Sequence, residues 1–272
     1  LVLAADHGVA AQRVSLYPAR VGAQVAAAAA RGETAIGVLA RSLGAELVVS
    51  DIGLADAGSA DISQGPAMSA ERFQQAVETG HALGAELAAR HELLILGEIG
   101  IGNTTVAAAL LAGITGVSPE QACGRGTGLD AQGLEHKRAV VAQALAANRA
   151  RDPLECLRTL GGLELAGLAG AMLAAAQQRV PILLDGFAVG VTALGVCRVV
   201  PALRDYLIAG HRSAEPAHQL VLTELGLEPL LDQRLRLGEA SGAALSLPLL
   251  GLAARIHAEM ASFDDAGVDR AD

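Results

Sequence analysis

Five short apolar runs recur along the chain: LVLAAD (1–6), AELVVSD (45–51), ELLILG (92–97), PILLDG (181–186) and DYLIAG (205–210). Each closes on Gly or Asp. Between and after them the apolar positions switch to helical spacing, predicting helices over 19–43 (broken near Gly32), 69–90, 103–113, 130–148, 162–178, 187–200, 214–225 and 240–262. Three of these begin with residues that favour a helix N-cap: Ser69 before AERF, Asp130 before AQGLEHKRAV and Ser241 before GAALSL.

Apolar runs of this length without polar alternation are strands buried on both faces, as in a parallel sheet covered by helices. The expected fold is an open, doubly wound α/β domain with a mostly parallel sheet over residues 1–213. Residues 214–272 are expected to be a helical region contributing to a smaller domain. In sheets of this kind ligands sit beyond the carboxyl ends of the strands. Here those ends carry ADHG, SDIG, GEIGIGN, LDGF and AGHRS, so polar and glycine-rich loops converge on one edge.

Composition narrows the function. Hydrophobic residues make up 52% of the 272, but aromatics only 2% and Trp none, so the core must be built from Ala, Leu, Val and Gly. The net charge of -9 argues against a nucleic-acid partner, which needs clustered Lys and Arg. Three scattered cysteines, Cys123, Cys156 and Cys197, fit neither a disulfide framework nor a zinc ribbon, and a reducing, cytoplasmic setting follows. The most apolar stretch, VPILLDGFAVGVTALGVC, is interrupted by Asp185 and Gly186, which disfavours a membrane span of ~20 residues. The seven histidines show no metal-ligand spacing.

Three segments carry candidate chemistry. GEIGIGNTT (97–105) resembles a phosphate loop, with Gly100 and Gly102 before a helix opened by Asn103 and Thr104. Asn103 stands where a nucleotide-triphosphate loop has its lysine, and Glu98 adds an acid. A plain glycine turn explains the loop about as well. GRGTGLD (124–130) is a second such loop, with Gly124, Gly126 and Gly128, and leads into a helix bearing Lys137, the only lysine in the chain. A solvated basic helix face is an equal reading there. RLGEASGAAL places Glu239 just before a helix start, where the helix dipole keeps a carboxylate ionised and able to act as a base; helix-stabilising charge is the simpler reading. Asp185, His211 and Ser213 also admit a hydrolytic triad, but no G-x-S-x-G elbow accompanies them.

Seven words in order, ADHGV, GEIGIGNTT, GRGTGLD with Lys137, GGLELAGLAGAML, LLDGF, DYLIAGHRSAEP and RLGEASGAAL, resemble the nicotinate-nucleotide:dimethylbenzimidazole phosphoribosyltransferase family. They span nearly the whole chain. The resemblance implies transfer of ribose 5-phosphate from nicotinate mononucleotide to a benzimidazole-type base, giving nicotinate and the α-riboside 5′-phosphate used as the lower-ligand nucleotide of cobalamin. It further implies no metal or other cofactor, and a homodimer. By motif, Glu239 is the general base. Glu98 and Lys137 are a charged pair near the ribose phosphate and reacting centre. The glycine loops are the phosphate cradle, and Tyr17 and Gln24 belong to the base pocket.

Two departures accompany the resemblance. The family's helical segment before ADHG is expected to be missing, leaving the smaller domain incomplete. Its arginine-glycine-x-x-asparagine loop is replaced by ADAGSADISQGPAMS, with Asp61 near the expected Asn. A non-catalytic nucleotide- or base-binding homologue of the same fold is therefore a rival expectation. A P-loop or Rossmann nucleotide enzyme, resting on the glycine loops alone, is a third.

Overall fold

The structure, a computed structural model, describes residues 1–55 and 58–269. Strands β1 (Val2–Ala5), β2 (Val49–Gly53), β3 (Leu94–Ile99), β4 (Ile182–Leu184) and β5 (Leu207–Ala209) form one sheet in the order β2-β1-β3-β4-β5. All four pairings are parallel, as the apolar runs predict. Successive residues of β1 explain why the strand is apolar throughout. Leu1, Leu3 and Ala5 enter one core and Val2 and Ala4 the other, since side chains alternate across a strand.

The second core lies under α1 (Arg20–Ala30) and α2 (Ala35–Leu43), with Ala26, Ala29 and Ile36 packed on Val2 and Ala4. The expected break near Gly32 separates these two helices. The first core lies under α3 (Ala70–Ala88), α4 (Asn103–Thr115), the short α5 (Pro119–Ala122), α6 (Ala131–Ala147), α7 (Pro153–Leu160), α8 (Leu163–Gln177) and α9 (Phe187–Val199). Poverty in aromatics has a structural use here. α3 and α8 cross so closely that a Cβ on Gly80 would run into the backbone of Gly167.

The chain turns from β1 to β2 on one side and then returns to β3 on the other side of β1. The carboxyl ends of β1 and β3 thus flank the switch point, the place where such sheets bind ligands. His7 follows β1 and Glu98 lies at the end of β3.

The stretch 214–272 departs from its expected all-helical character. It contains α10 (His218–Leu225), then strand β7 (Leu231–Leu235), then α11 (Ser241–Glu259) and α12 (Phe263–Ala266). β7 pairs in parallel with β6 (His211–Ser213), so the boundary expected at 213/214 separates two strands that bond to each other. The sequence LDQRL hides β7 because neither of its leucines is buried and its order comes from pairing with a distant strand. The first turn of α11 is buried against β3, whereas the chain from Gly251 to Asp269 is exposed. No helix among the described residues is long and apolar enough to cross a membrane.

Candidate active site

A cleft of about 410 Å³ opens at the carboxyl edge of the sheet. Its walls come from α1, the end of β3 with the start of α4, the 126–127 turn, the end of β4, β6 and the 236–239 turn. Glu98, Asn103, Thr104, Gly100, Gly126, Tyr17 and Glu239 all line it. The structure therefore brings together residues from all three motifs.

Glu98 is buried, and its Oε2 accepts a 2.6 Å hydrogen bond from Asn103 Nδ2. Burial pushes its carboxyl up to about 8, Asn103 opposes, and the carboxylates of Glu164 and Asp185 add to the rise. Glu98 therefore favours its neutral form at neutrality, where the sequence reading takes it as charged. The asparagine in the place of a P-loop lysine is a hydrogen-bond donor to this acid.

Glu239 sits on a backbone held in an uncommon shape. Gly238, Glu239 and Ala240 have φ of 81°, 62° and 67°, three successive residues in the left-handed region, which for a non-glycine residue costs of order 1–3 kcal/mol. Such strain persists only where neighbours impose it. The Glu239 N–H donates to Glu98 O at 3.3 Å and Ser241 Oγ donates to Gly238 O at 2.6 Å. Burial raises the Glu239 carboxyl above its usual range, while Thr34 and the Ile36 N–H pull it down. Its Oε2 has no hydrogen-bond partner among the described residues. That oxygen is buried, an acceptor without a donor.

Lys137 does not itself line the cleft but stands behind Thr104 and Gly126, which do. This side chain is wholly buried, and its Nζ donates to Thr104 Oγ1 at 2.8 Å, which joins the two glycine loops. Burial lowers its pKa, and Glu215 counters that. Gly102 provides the turn into α4 with φ of 98°. Gly100 has no room for a side chain, because a Cβ would stand 2.7 Å from Ala5 O and 2.8 Å from His7 Nε2. Gly126 faces the cleft, while Gly102, Gly124 and Gly128 lie behind its lining, Gly124 packed on the Glu215 carboxylate. The cradle amides are already engaged. Asn103 N donates to Gly100 O, Thr104 N to Asn103 Oδ1, Thr105 N to Gly102 O and Gly126 N to Glu215 Oε1.

The remaining sequence candidates divide. Tyr17 lines the cleft, with Val21, Gly22 and Val25 from the same face of α1 and Phe187 and Leu237 opposite. Gln24 points to solvent and does not line it, because Val21, Gly22 and Val25 take the inward face of the helix. Asp185 and His211 pair at 3.3 Å, but Ser213 does not complete a triad. Its N–H donates to His218 Nδ1 and its Oγ accepts from the Glu215 N–H. Of the altered loop, Asp56 and Ala57 lie outside the described residues. Asp61 accepts from Gln12 Nε2 at 2.6 Å and from the Ser63 N–H and hydroxyl, so it braces the loop.

Sequence reasoning missed two acids. Glu215, inside the word HRSAEP, faces the cleft between Gly126 and Lys137. Glu164 is fully buried, with its Oε1 3.0 Å from His7 Nε2. The signal for Glu164 was an acid inside an otherwise apolar helix, LELAGLAGAML.

Comparison with known proteins agrees along the whole chain. A family model described as phosphoribosyltransferase matches residues 1–268. The nicotinate-nucleotide–dimethylbenzimidazole phosphoribosyltransferase of Desulforudis audaxviator (strain MP104C) is 47% identical over 99% of this chain and 81% of its own length. The enzyme of that name from Xanthomonas oryzae pv. oryzae (strain PXO99A) is 46% identical over 99% and 82%. The crystal structure of CobT from Thermus thermophilus superposes with a TM-score of 0.94 at 44% identity, covering 99% of this chain and 86% of that one. With matches of this extent, and a cleft at the carboxyl ends of β3 and β4 where the motifs converge, the chain belongs to the nicotinate-nucleotide–dimethylbenzimidazole phosphoribosyltransferase family.

Proposed function

We propose that this protein transfers ribose 5-phosphate from nicotinate mononucleotide to 5,6-dimethylbenzimidazole or a related base, giving nicotinate and the α-riboside 5′-phosphate for the nucleotide loop of cobalamin. The observation that carries this reading is Glu239, an acid with a buried, unpartnered acceptor oxygen, fixed by main chain beside Glu98 in a cleft with an apolar wall, with a buried lysine held behind Thr104 of its lining.

The chemistry suits those groups. The pyridine nitrogen of the donor is cationic and leaves neutral, so departure needs no general acid. The incoming base attacks C1′ from the opposite face, which inverts the anomer, and its second N–H becomes acidic as the ring gains positive charge. Glu239 accepts that proton, a step typically worth ~10²–10⁴ in rate. Glu98 releases its proton to solvent as the cationic substrate binds and then stabilises oxocarbenium-like charge at the ribose, as carboxylates do in glycoside cleavage. Lys137 supplies the point charge for the phosphate. Tyr17, Val21 and Val25 offer the flat, apolar surface a benzimidazole needs. We assign the assembly as a homodimer, supported by the exposed apolar residues Leu249, Leu252 and Ile256 along α11 and Met260 just past its end. A cytoplasmic location is supported by three unpaired cysteines.

Purified protein should release nicotinate from nicotinate mononucleotide only when a benzimidazole is added, with the riboside phosphate seen by mass spectrometry. Tight nucleotide or base binding by calorimetry without product would instead select a non-catalytic homologue.

A further inference from the structure

Helix α11 starts without a side-chain cap of its own, because its N-cap residue is Ala240. A helix N-terminus leaves backbone N–H groups unsatisfied, and here burial denies them water. Asp185, at the end of β4, fills the gap from a distant part of the chain. Its Oδ2 accepts from Ala240 N at 3.2 Å and its Oδ1 from Ala243 N at 3.0 Å. His211 Nε2 stands 3.3 Å from that same Oδ1. The His211 ring in turn packs against Gly242, where any Cβ would collide with it. Asp185 and His211 are both buried. The turn that Asp185 grips is the strained one, since Glu239 and Ala240 hold φ of 62° and 67°.

We propose that Asp185, paired with His211, is a positioning residue that holds the Gly238–Ala240 turn and thereby aims the Glu239 carboxylate at the incoming base. The inference rests on the transferase reading above. Each link is geometric. An acid anchored in the sheet meets the positive end of α11. The bonds to residues 240 and 243 bracket the first turn, and the residue before the bracket is the base. Relaxation of the turn would swing Glu239, whereas the bond from Lys137 Nζ to Thr104 Oγ1 involves neither the turn nor α11. A reacting group displaced by about 1 Å can lose ~10²-fold in rate.

The test is a double-mutant cycle with Asp185→Asn and Glu239→Gln, assayed for base-dependent nicotinate release. Asn keeps the shape of Asp but turns one acceptor into a donor, which opposes one of the two N–H groups. The expected result for Asp185→Asn is a kcat lower by roughly 10–100-fold, with the KM for nicotinate mononucleotide unchanged within about twofold. On the Glu239→Gln background the same substitution should change kcat by less than about threefold, as expected for residues acting as a unit. Additive losses, or an effect confined to nucleotide KM, overturn the positioning role, the latter making Asp185 a substrate ligand. If Asp185→Asn does not fold, His211→Gln carries the same cycle, with a smaller loss that again vanishes on the Gln background. Wild-type protein that releases no nicotinate sinks the transferase reading itself, whereas an active wild type with additive losses overturns this inference alone.

Discussion

The main-chain N–H of Glu239 donates to the carbonyl oxygen of Glu98 across 3.3 Å, so the two acids of the cleft are fixed to each other through backbone and not through their carboxyl groups. The environments of those groups differ. Glu98 is more deeply buried, pushed up to about 8 by burial and by neighbouring acids. Glu239 is also raised by burial, but Thr34 and the Ile36 N–H oppose the rise, and one of its oxygens has no partner among the described residues. Environments that separate two acids in this way mark distinct roles.

Replacing Glu239 with Gln keeps the turn and removes the base. Transfer should fall by ~10²–10⁴, with the KM for nicotinate mononucleotide nearly unchanged. Steady-state nicotinate release with saturating dimethylbenzimidazole measures it. A fall of less than about threefold would remove Glu239 from the mechanism.

The raised pKa of Glu98 has a sign that can be checked in the empty protein. A carboxyl whose folded pKa lies above its unfolded value favours the folded state most when protonated. Its contribution is present below the unfolded value of 4.5 and is lost as pH rises toward about 8. Glu98→Gln keeps an acceptor for Asn103 Nδ2 and cannot ionise. The melting temperature of the variant relative to wild type should therefore climb between pH 5 and pH 8, by on the order of 5 °C. Paired thermal melts across that range read it. A constant difference would mean that Glu98 ionises freely.

Lys137 is buried without a carboxylate in hydrogen-bond contact among the described residues, and one of its three N–H groups is given to Thr104 Oγ1. Lys137→Met should leave the fold intact, since it removes a desolvated charge, and should weaken nicotinate mononucleotide binding by ~10–100-fold, the worth of a charge-assisted hydrogen bond. Lys137→Arg should not restore affinity, because the planar guanidinium does not fit a fully enclosed slot. Titration calorimetry with the nucleotide separates the three proteins.

These expectations show which parts of the molecule the sequence made legible. The five strands could be read because a strand covered on both faces needs apolar residues at every position, and β1 carries them in both cores. Glu98, Lys137 and Glu239 could be read because each stands inside a contiguous word. The role of Asp185 could not, since its partners are the backbone N–H groups of residues 240 and 243, and an amide leaves no residue-type signature. The neutrality of Glu98 was hidden for a related reason, as it arises from burial and from Glu164 and Asp185 on other elements. Gln24 was carried to the base pocket by position in the chain, but one step around α1 separates the solvent face from the cleft face occupied by Val25.

The buried pair beneath the glycine loop gives the last prediction. His7 Nε2 stands 3.0 Å from Glu164 Oε1, both fully enclosed, and Gly100 packs directly on the imidazole. Burial alone would lower the His7 pKa, but Glu164 outweighs it and raises the pKa above 6.5, with Glu98 adding to the rise. A histidine with a raised folded pKa contributes stability that is complete below 6.5 and is lost as pH climbs through the folded value. Glu164→Gln should therefore destabilise the protein most in acid, by about 3–5 kcal/mol, the usual effect of leaving one member of a buried pair uncompensated. The deficit should shrink at alkaline pH, where His7 is neutral in both proteins. Because Glu164 also raises the Glu98 pKa, the same variant should let Glu98 ionise at lower pH. Denaturant unfolding of wild type and variant at pH 5.5 and pH 9 tests the pair. A deficit that grows with pH would show that His7 is neutral in the fold and that the contact is not an ion pair.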